Sequence, residues 1–179
     1  MNDLRARPAT RSDGIGIGEI SFRSHTISFR EFASASFIDE QVESEHIGWW
    51  SQVLADTTNG HQMFVTEQAG QIVGFSMVGP LNDRYEFAAD VRPLGDAGSL
   101  AVLYSMHVDP DHTGHGAGRS LMQPSIEHMR AAGFRIAVLD TYEANHRARR
   151  FYESAGWELA NIVVSEEGES LAIYRIQLA

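Results

Sequence analysis

The chain has 179 residues, a formal net charge of −10 and no cysteine. That length suits one domain able to bury a core without a disulfide or metal staple, and the missing thiols exclude disulfides, Cys-ligated zinc and an acyl-cysteine intermediate. All 14 basic residues are arginines; a net-acidic surface argues against nucleic acid as a partner, since phosphate binding needs a basic face, and suits either a cationic substrate or plain solubility.

No apolar run approaches the roughly 20 residues that span a bilayer. Residues 1 to 7, Met-Asn-Asp-Leu-Arg-Ala-Arg, lack the apolar core of a secretory signal. The expectation is a cytoplasmic protein with no membrane partner.

In chain order, Leu4 to Ala9 reads as a short strand. Thr10 and Asp13 form a capping pair that opens a helix through about His25. Gly14, Gly16 and Gly18 each cost that helix about 1 kcal/mol against alanine, so an irregular start is expected. The same glycines lack the third-glycine spacing of a nucleotide loop. A second helix is predicted from Asp39 to Ala55, with Val42, Ile47, Trp50 and Leu54 on one face. Met63 to Thr66 and Ile72 to Val78 alternate like strands around a turn at Gln68 to Gly70. Leu81 to Ser99 reads as a long polar connection.

Leu100 to Val108 is the next predicted strand, followed by a glycine-rich turn and a helix from Gly116 to Ala132 that Pro124 should bend. Phe134 to Asp140 reads as a strand and Asn145 to Ser154 as a helix stopped by Gly156. Strands at Trp157 to Ser165 and Ser170 to Leu178 flank a Glu-Glu-Gly turn. The result is an α/β (α+β) single domain with a β-α-β crossover between residues 100 and 140.

Met106-His107-Val108-Asp109-Pro110-Asp111-His112-Thr113-Gly114-His115-Gly116-Ala117-Gly118-Arg119 carries the chemistry. A strand ends, Pro110 breaks it, and alternate glycines lead into a helix. Glycines let successive N–H groups point one way, and the helix start adds unpaired N–H groups and partial positive charge. Together they suit a pyrophosphate, although no Gly-Lys-Ser/Thr follows as a P-loop requires. After the next strand comes Asn145-His146-Arg147-Ala148-Arg149-Arg150-Phe151-Tyr152-Glu153-Ser154-Ala155-Gly156-Trp157.

The two segments, V-D-P-x-x-x-G-x-G-x-G-R-x-L and N-x-x-A-x-x-F-Y-E-x-x-G-W, resemble the GNAT acetyltransferase superfamily, in its order and spacing, over about residues 100 to 160. The resemblance implies a GNAT-like fold, a central mixed sheet of six to seven strands flanked by about four helices, with acetyl-CoA as co-substrate. The strand end at Met106, His107 and Val108 would pair with the pantetheine arm through backbone groups. N–H groups of Thr113, Gly114, His115, Gly116, Ala117, Gly118 and Arg119 would hold the pyrophosphate. Asn145 would contact the cofactor arm or a water. Tyr152 would protonate the departing thiolate, a step open to any phenol placed there. Each residue has a plainer reading: Tyr152 as a helix-face tyrosine, Asn145 as an N-cap, and the glycines as turn formers.

Two positions depart from the family pattern. Thr113 stands where arginine or glutamine is usual, and Val102 where a glutamate base is common. An ammonium with a pKa near 10.4 costs about 4.6 kcal/mol to neutralise at pH 7, so a proton acceptor is expected. Tyr104 (on the strand face of Val102), a water chain, and a carboxylate between Glu31 and Glu45 all remain open. His107, His112 and His115 with Asp109 and Asp111 raise a metal site, but the expectation is none. His107, facing away from Tyr104, should pack or cap.

The resemblance puts the substrate near residues 31 to 60, which hold Glu31, Asp39, Glu40, Glu43, Glu45 and Asp56 with no Arg or Lys. They form either a cation-attracting rim or a solvated face. Phe29 and Glu31 are the candidate substrate contacts. The implied activity is acetylation of a small-molecule amine: a polyamine, amino sugar or amino acid derivative. A protein or peptide N-acetyltransferase and a catalytically silent acyl-CoA-binding module are the alternatives. A homodimer is compatible with the sequence.

Overall fold

The structure, a computed structural model, describes residues 4–56, 60–96, 98–165 and 167–178. Its strands are β1 (Arg5–Pro8), β2 (Gln62–Gln68), β3 (Gln71–Pro80), β4 (Leu100–Val108), β5 (Ile136–Tyr142), β6 (Glu158–Val164) and β7 (Ser170–Gln177). The helices are α1 (Gly14–Arg23), α2 (Ala35–Asp39), α3 (Glu43–Ala55), α4 (Ala88–Val91), α5 (Ala117–Ala131) and α6 (His146–Ser154). The sheet is mixed and runs β1-β2-β3-β4-β5-β7-β6. Strands β4 and β5 pair in parallel, over Leu100–Val102 and Ile136–Val138. The β4-α5-β5 crossover is thus the one read from the sequence, and the expected mixed α/β class holds. Four longer helices are joined by the short α2 and α4.

The chain divides into two compact units: Met1–Val78 with Ser105–His128, and Gly79–Tyr104 with Met129–Ala179. In the first unit the capping pair is in place, with Thr10 N–H donating to the Asp13 carboxylate at 2.6 Å. As expected, the helix starts irregularly, through a 3-10 turn at Arg11–Asp13. It does not run to His25 as one α-helix, because Ser24–Ser28 widens into a π turn. The predicted second helix is also two: α2, capped by the Ser34 hydroxyl accepting from Phe37 N–H, and α3. Between them Val42 is extended, at φ −124° and ψ 119°. That conformation suits a β-branched residue and leaves Val42 exposed, off the face shared by Ile47 and the buried Trp50. Trp50 packs on Phe75 of β3 at 4.7 Å.

In the second unit, Leu81 to Ser99 is not a polar connection. Tyr85, Phe87, Ala88 and Val91 are buried and close over Val102, Val138, Leu171 and Ile173. Four apolar side chains among charged neighbours supply that plug, and α4 is its single turn. Ala97 in this stretch, and Glu166 of the predicted Glu-Glu-Gly turn, lie outside the described residues. Strand β5 starts two residues later than predicted, because Gly133 at φ +90° ends the helix and Phe134 N–H caps back onto Met129 C=O.

Candidate active site

The first unit holds the glycine turn. β4 ends where Asp109 N–H donates to Val73 C=O at 2.9 Å. Asp109 then caps a short turn, accepting from Asp111 N–H at 2.9 Å. Arg23 of α1 reaches across to Asp109 through Nε at 2.8 Å and to Asp111 through Nη2 at 2.8 Å. Burial pushes the Asp109 carboxyl up, but the Asp111 N–H, Arg23 and His112 together hold it below its ordinary range. The two acidic side chains of the motif are therefore engaged by a guanidinium. Among the described residues no group of three or more His, Asp or Glu could hold a metal ion.

The Thr113 hydroxyl donates to Pro110 C=O at 2.9 Å, so it steadies the turn from within. Gly114 and Gly116 adopt φ +83° and +97°, a left-handed region closed to most side chains. The first bond of α5 runs from Ser120 N–H to Gly116 C=O at 3.0 Å. The N–H groups of Ala117, Gly118 and Arg119 precede it, unpaired within the helix. Left-handed glycines leading into a helix start are the arrangement that presents backbone donors to an anion.

His107 is packed within the first unit, as expected. Its ring stacks on Phe75 at 5.2 Å and meets His25 at 5.3 Å and Phe29 at 5.8 Å. Its Nδ1 lies 2.9 Å from Ser24 Oγ. Burial pushes His107 down to about 3, helped by His25 and His46. Phe29 is thus packed among His25, Phe32 and His107. Glu31, like Glu40, Glu43 and Glu45, is exposed. The cluster of His25, His46 and His107 escaped the sequence reading, because its members come from three elements far apart in the chain.

The second unit holds the remaining candidates. Val102 is fully buried beside Tyr85 and Val138, where an unpaired carboxylate would be costly. The Tyr104 hydroxyl donates to Pro80 C=O at 2.6 Å, and burial pushes the phenol up. Asn145 is the N-cap of α6, its Oδ1 accepting from Ala148 N–H at 3.0 Å; the capping role leaves its amide NH2 for a second partner. Tyr152 is buried on α6, with its ring against Phe151 and Trp157. Its hydroxyl makes no hydrogen bond among the described residues, and burial, then the Asp140 charge, push the phenol up.

The structure adds two residues that the sequence reading passed over. The Tyr85 hydroxyl donates to Asp140 Oδ1 at 2.8 Å. Burial pushes the Asp140 carboxyl up, while the Tyr85 bond and a backbone N–H pull it back. A lone aspartate closing the apolar run Ile136 to Leu139 was the available signal for it.

Comparison with known proteins gives the family and the fold. A model described as the acetyltransferase (GNAT) family matches residues 25–157. The mycothiol acetyltransferase of Thermobispora bispora is 33% identical over 94 residues, which cover 52% of this chain and 29% of that protein. The chain therefore spans under a third of the length of that relative. The L-amino acid N-acyltransferase MnaT of Escherichia coli is 27% identical over 155 residues, covering 86% of this chain and 79% of that protein. The structure of yncA from Salmonella typhimurium with its cofactor acetyl-CoA aligns with a TM-score of 0.72 at 21% identity, covering 99% of this chain and 95% of the other. At that identity the likeness shows the fold. No helix among the described residues is long and apolar enough to cross a membrane.

Proposed function

The chain belongs to the acetyltransferase (GNAT) family, and from that premise we propose that it works as one cytoplasmic catalytic domain that moves acetyl from acetyl-CoA directly onto a small-molecule amine. The observation that carries the reading is the glycine turn, left-handed at Gly114 and Gly116 and opening into the first-turn N–H groups of α5, which have no partner within the helix. It would take the pyrophosphate through the backbone from Thr113 to Arg119. Strand β4 would take the pantetheine arm at Met106 and Val108, with His107 supporting the strand from its packed side. Asn145 would use its amide NH2 on the cofactor arm, and Tyr152 would give its proton to the leaving sulfur. The names of the two relatives, a mycothiol acetyltransferase and an L-amino acid N-acyltransferase, favour a small amine over a protein. Among the three small-amine classes, the second name favours an amino acid derivative.

The test is release of CoA thiol from acetyl-CoA, with and without spermidine, glucosamine, L-phenylalaninamide, free L-amino acids, and a peptide with a free N-terminus. The chain has no cysteine, so a thiol reagent sees CoA alone. Amine-dependent release with a small molecule is the expected result. Release with the peptide only would make the chain a protein acetyltransferase. CoA binding with no release would make it a silent binding module.

A further inference from the structure

We propose that Asp140 accepts the proton of the incoming amine and that Tyr85 positions its carboxylate, a role that rests on the acetyltransferase reading above. Val102 leaves β4 without a carboxylate where the family commonly has one. Val102 pairs with Val138 on β5, and Asp140 lies two residues beyond Val138, on the same face of that strand. The acid has in effect moved one strand over. Tyr85 packs in the cluster that buries Val102 and Val138, and its hydroxyl reaches Asp140 Oδ1 at 2.8 Å. Its ring stands edge-on to Tyr104 at 5.9 Å, and the Tyr104 hydroxyl is held by Pro80 C=O. The Tyr104 phenol therefore donates where it stands, and its raised pKa makes it a poor source of phenolate.

A carboxylate held by neutral donors, with no cation paired to it among the described residues, keeps acceptor capacity for a substrate N–H. Burial pushes Asp140 up, toward the range in which a carboxylate takes a proton more readily. Its charge also raises the Tyr152 phenol, which keeps that group protonated as a donor.

The ammonium gives one N–H proton to Asp140, and its nitrogen lone pair forms a bond to the thioester carbonyl carbon. The carbon–sulfur bond breaks with its electron pair on sulfur. Nitrogen loses a second proton as the amide forms, which balances the proton that sulfur takes from Tyr152 and that Tyr152 regains. Asp140 returns its own proton to water.

The test uses Asp140→Asn and Tyr85→Phe in the full chain, with the amine of highest turnover in the panel above. The asparagine amide keeps an acceptor oxygen for Tyr85, so the fold and CoA binding by calorimetry should stay near wild type. The expected loss in kcat/KM is about 100-fold or more, with the acid limb of the pH profile gone. Tyr85→Phe keeps the carboxylate but loses the bond that favours its charged form, so the acid limb should move to higher pH while the plateau changes only a few-fold. A purely structural Tyr85 would not move the limb. Full activity in Asp140→Asn, or an unmoved limb in Tyr85→Phe, overturns the proposal. Wild type that releases no CoA with any amine overturns the acetyltransferase reading itself.

Discussion

Gly18 of α1 lies directly against the backbone of Ile47 on α3: a Cβ there would stand 2.4 Å from the Ile47 Cα and 2.7 Å from its nitrogen. One turn earlier, a Cβ on Gly14 would meet Ser51 Oγ at 2.6 Å. The glycines that weaken α1 by propensity therefore let two helices touch. Since the atoms in the way at Ile47 are backbone, Gly18→Ala should destabilise by about 3 kcal/mol, the upper end for overpacking. Gly48, on α3, is different: a Cβ added there would have nothing within 4 Å. Gly48→Ala should then stabilise by up to about 1 kcal/mol from helix propensity. Urea unfolding midpoints of the two variants should move in opposite directions.

The three packed histidines make stability depend on acid in a defined window. Burial lowers His25 to about 4, with His46 adding to it, and lowers His107 to about 3. Burial also lowers His46, against the opposing pull of Glu45. Each is favoured neutral in the fold, so the unfolded chain binds more protons between the ordinary histidine value of about 6.5 and these depressed values. Stability should be full above that value and fall as pH drops toward 4, by up to about 1.4 kcal/mol per pH unit for each histidine. Asp13 adds a separate loss further down, since the Arg7 guanidinium holds its carboxyl at about 2. His25 Nδ1 is buried without a partner among the described residues, so His25→Phe should keep or raise stability at pH 7 and flatten the slope between pH 6.5 and 4. An unchanged slope in chemical denaturation would place the titration elsewhere.

The motif segments from Leu100 to Trp157 were legible because local chemistry fixes them. Pro110 and the glycines force a turn, Asn145 caps a helix, and Gly156 ends it at φ +88°. What stayed hidden depends on contacts distant in sequence. Arg23 gave no sign that it would take up Asp109 and Asp111. Tyr85 sits in a stretch too charged and too short of periodicity to read as core, yet its ring is buried. Asp140 looked like the polar end of a strand until Tyr85 was placed against it. The α2-α3 break was missed because helical spacing continued through Val42, whose extended backbone interrupts it.

The phosphate-site proposal separates two substitutions three residues apart. At φ +97° Gly116 sits where a β-branched residue is strained by about 1–3 kcal/mol. Gly116→Val should reshape the turn and remove measurable CoA binding in calorimetry. Thr113 uses its hydroxyl on Pro110 C=O, and its proposed contact with phosphate is through the backbone. Thr113→Ala should therefore bind CoA within about threefold of wild type and lose about 1 kcal/mol of stability for the bond removed. Wild-type affinity in Gly116→Val would move the phosphate away from this turn.

Tyr152 offers the sharpest test of the proposed chemistry. Its ring is packed on Phe151 and Trp157, contacts that phenylalanine reproduces, and its hydroxyl has no partner to lose among the described residues. Tyr152→Phe should therefore keep the fold and CoA binding. Burial and the Asp140 charge both raise the phenol, so it stays protonated at neutral pH, as a proton donor must. The leaving thiolate belongs to a thiol with a pKa near the ordinary value of about 8.5, so it departs fairly well unaided and a proton helps moderately. Turnover should fall by roughly 10- to 1000-fold, around the usual range for a general acid. The fall should appear in kcat and kcat/KM alike, since the proton moves in the transition state. Full turnover in Tyr152→Phe would confine the residue to packing α6 against Trp157.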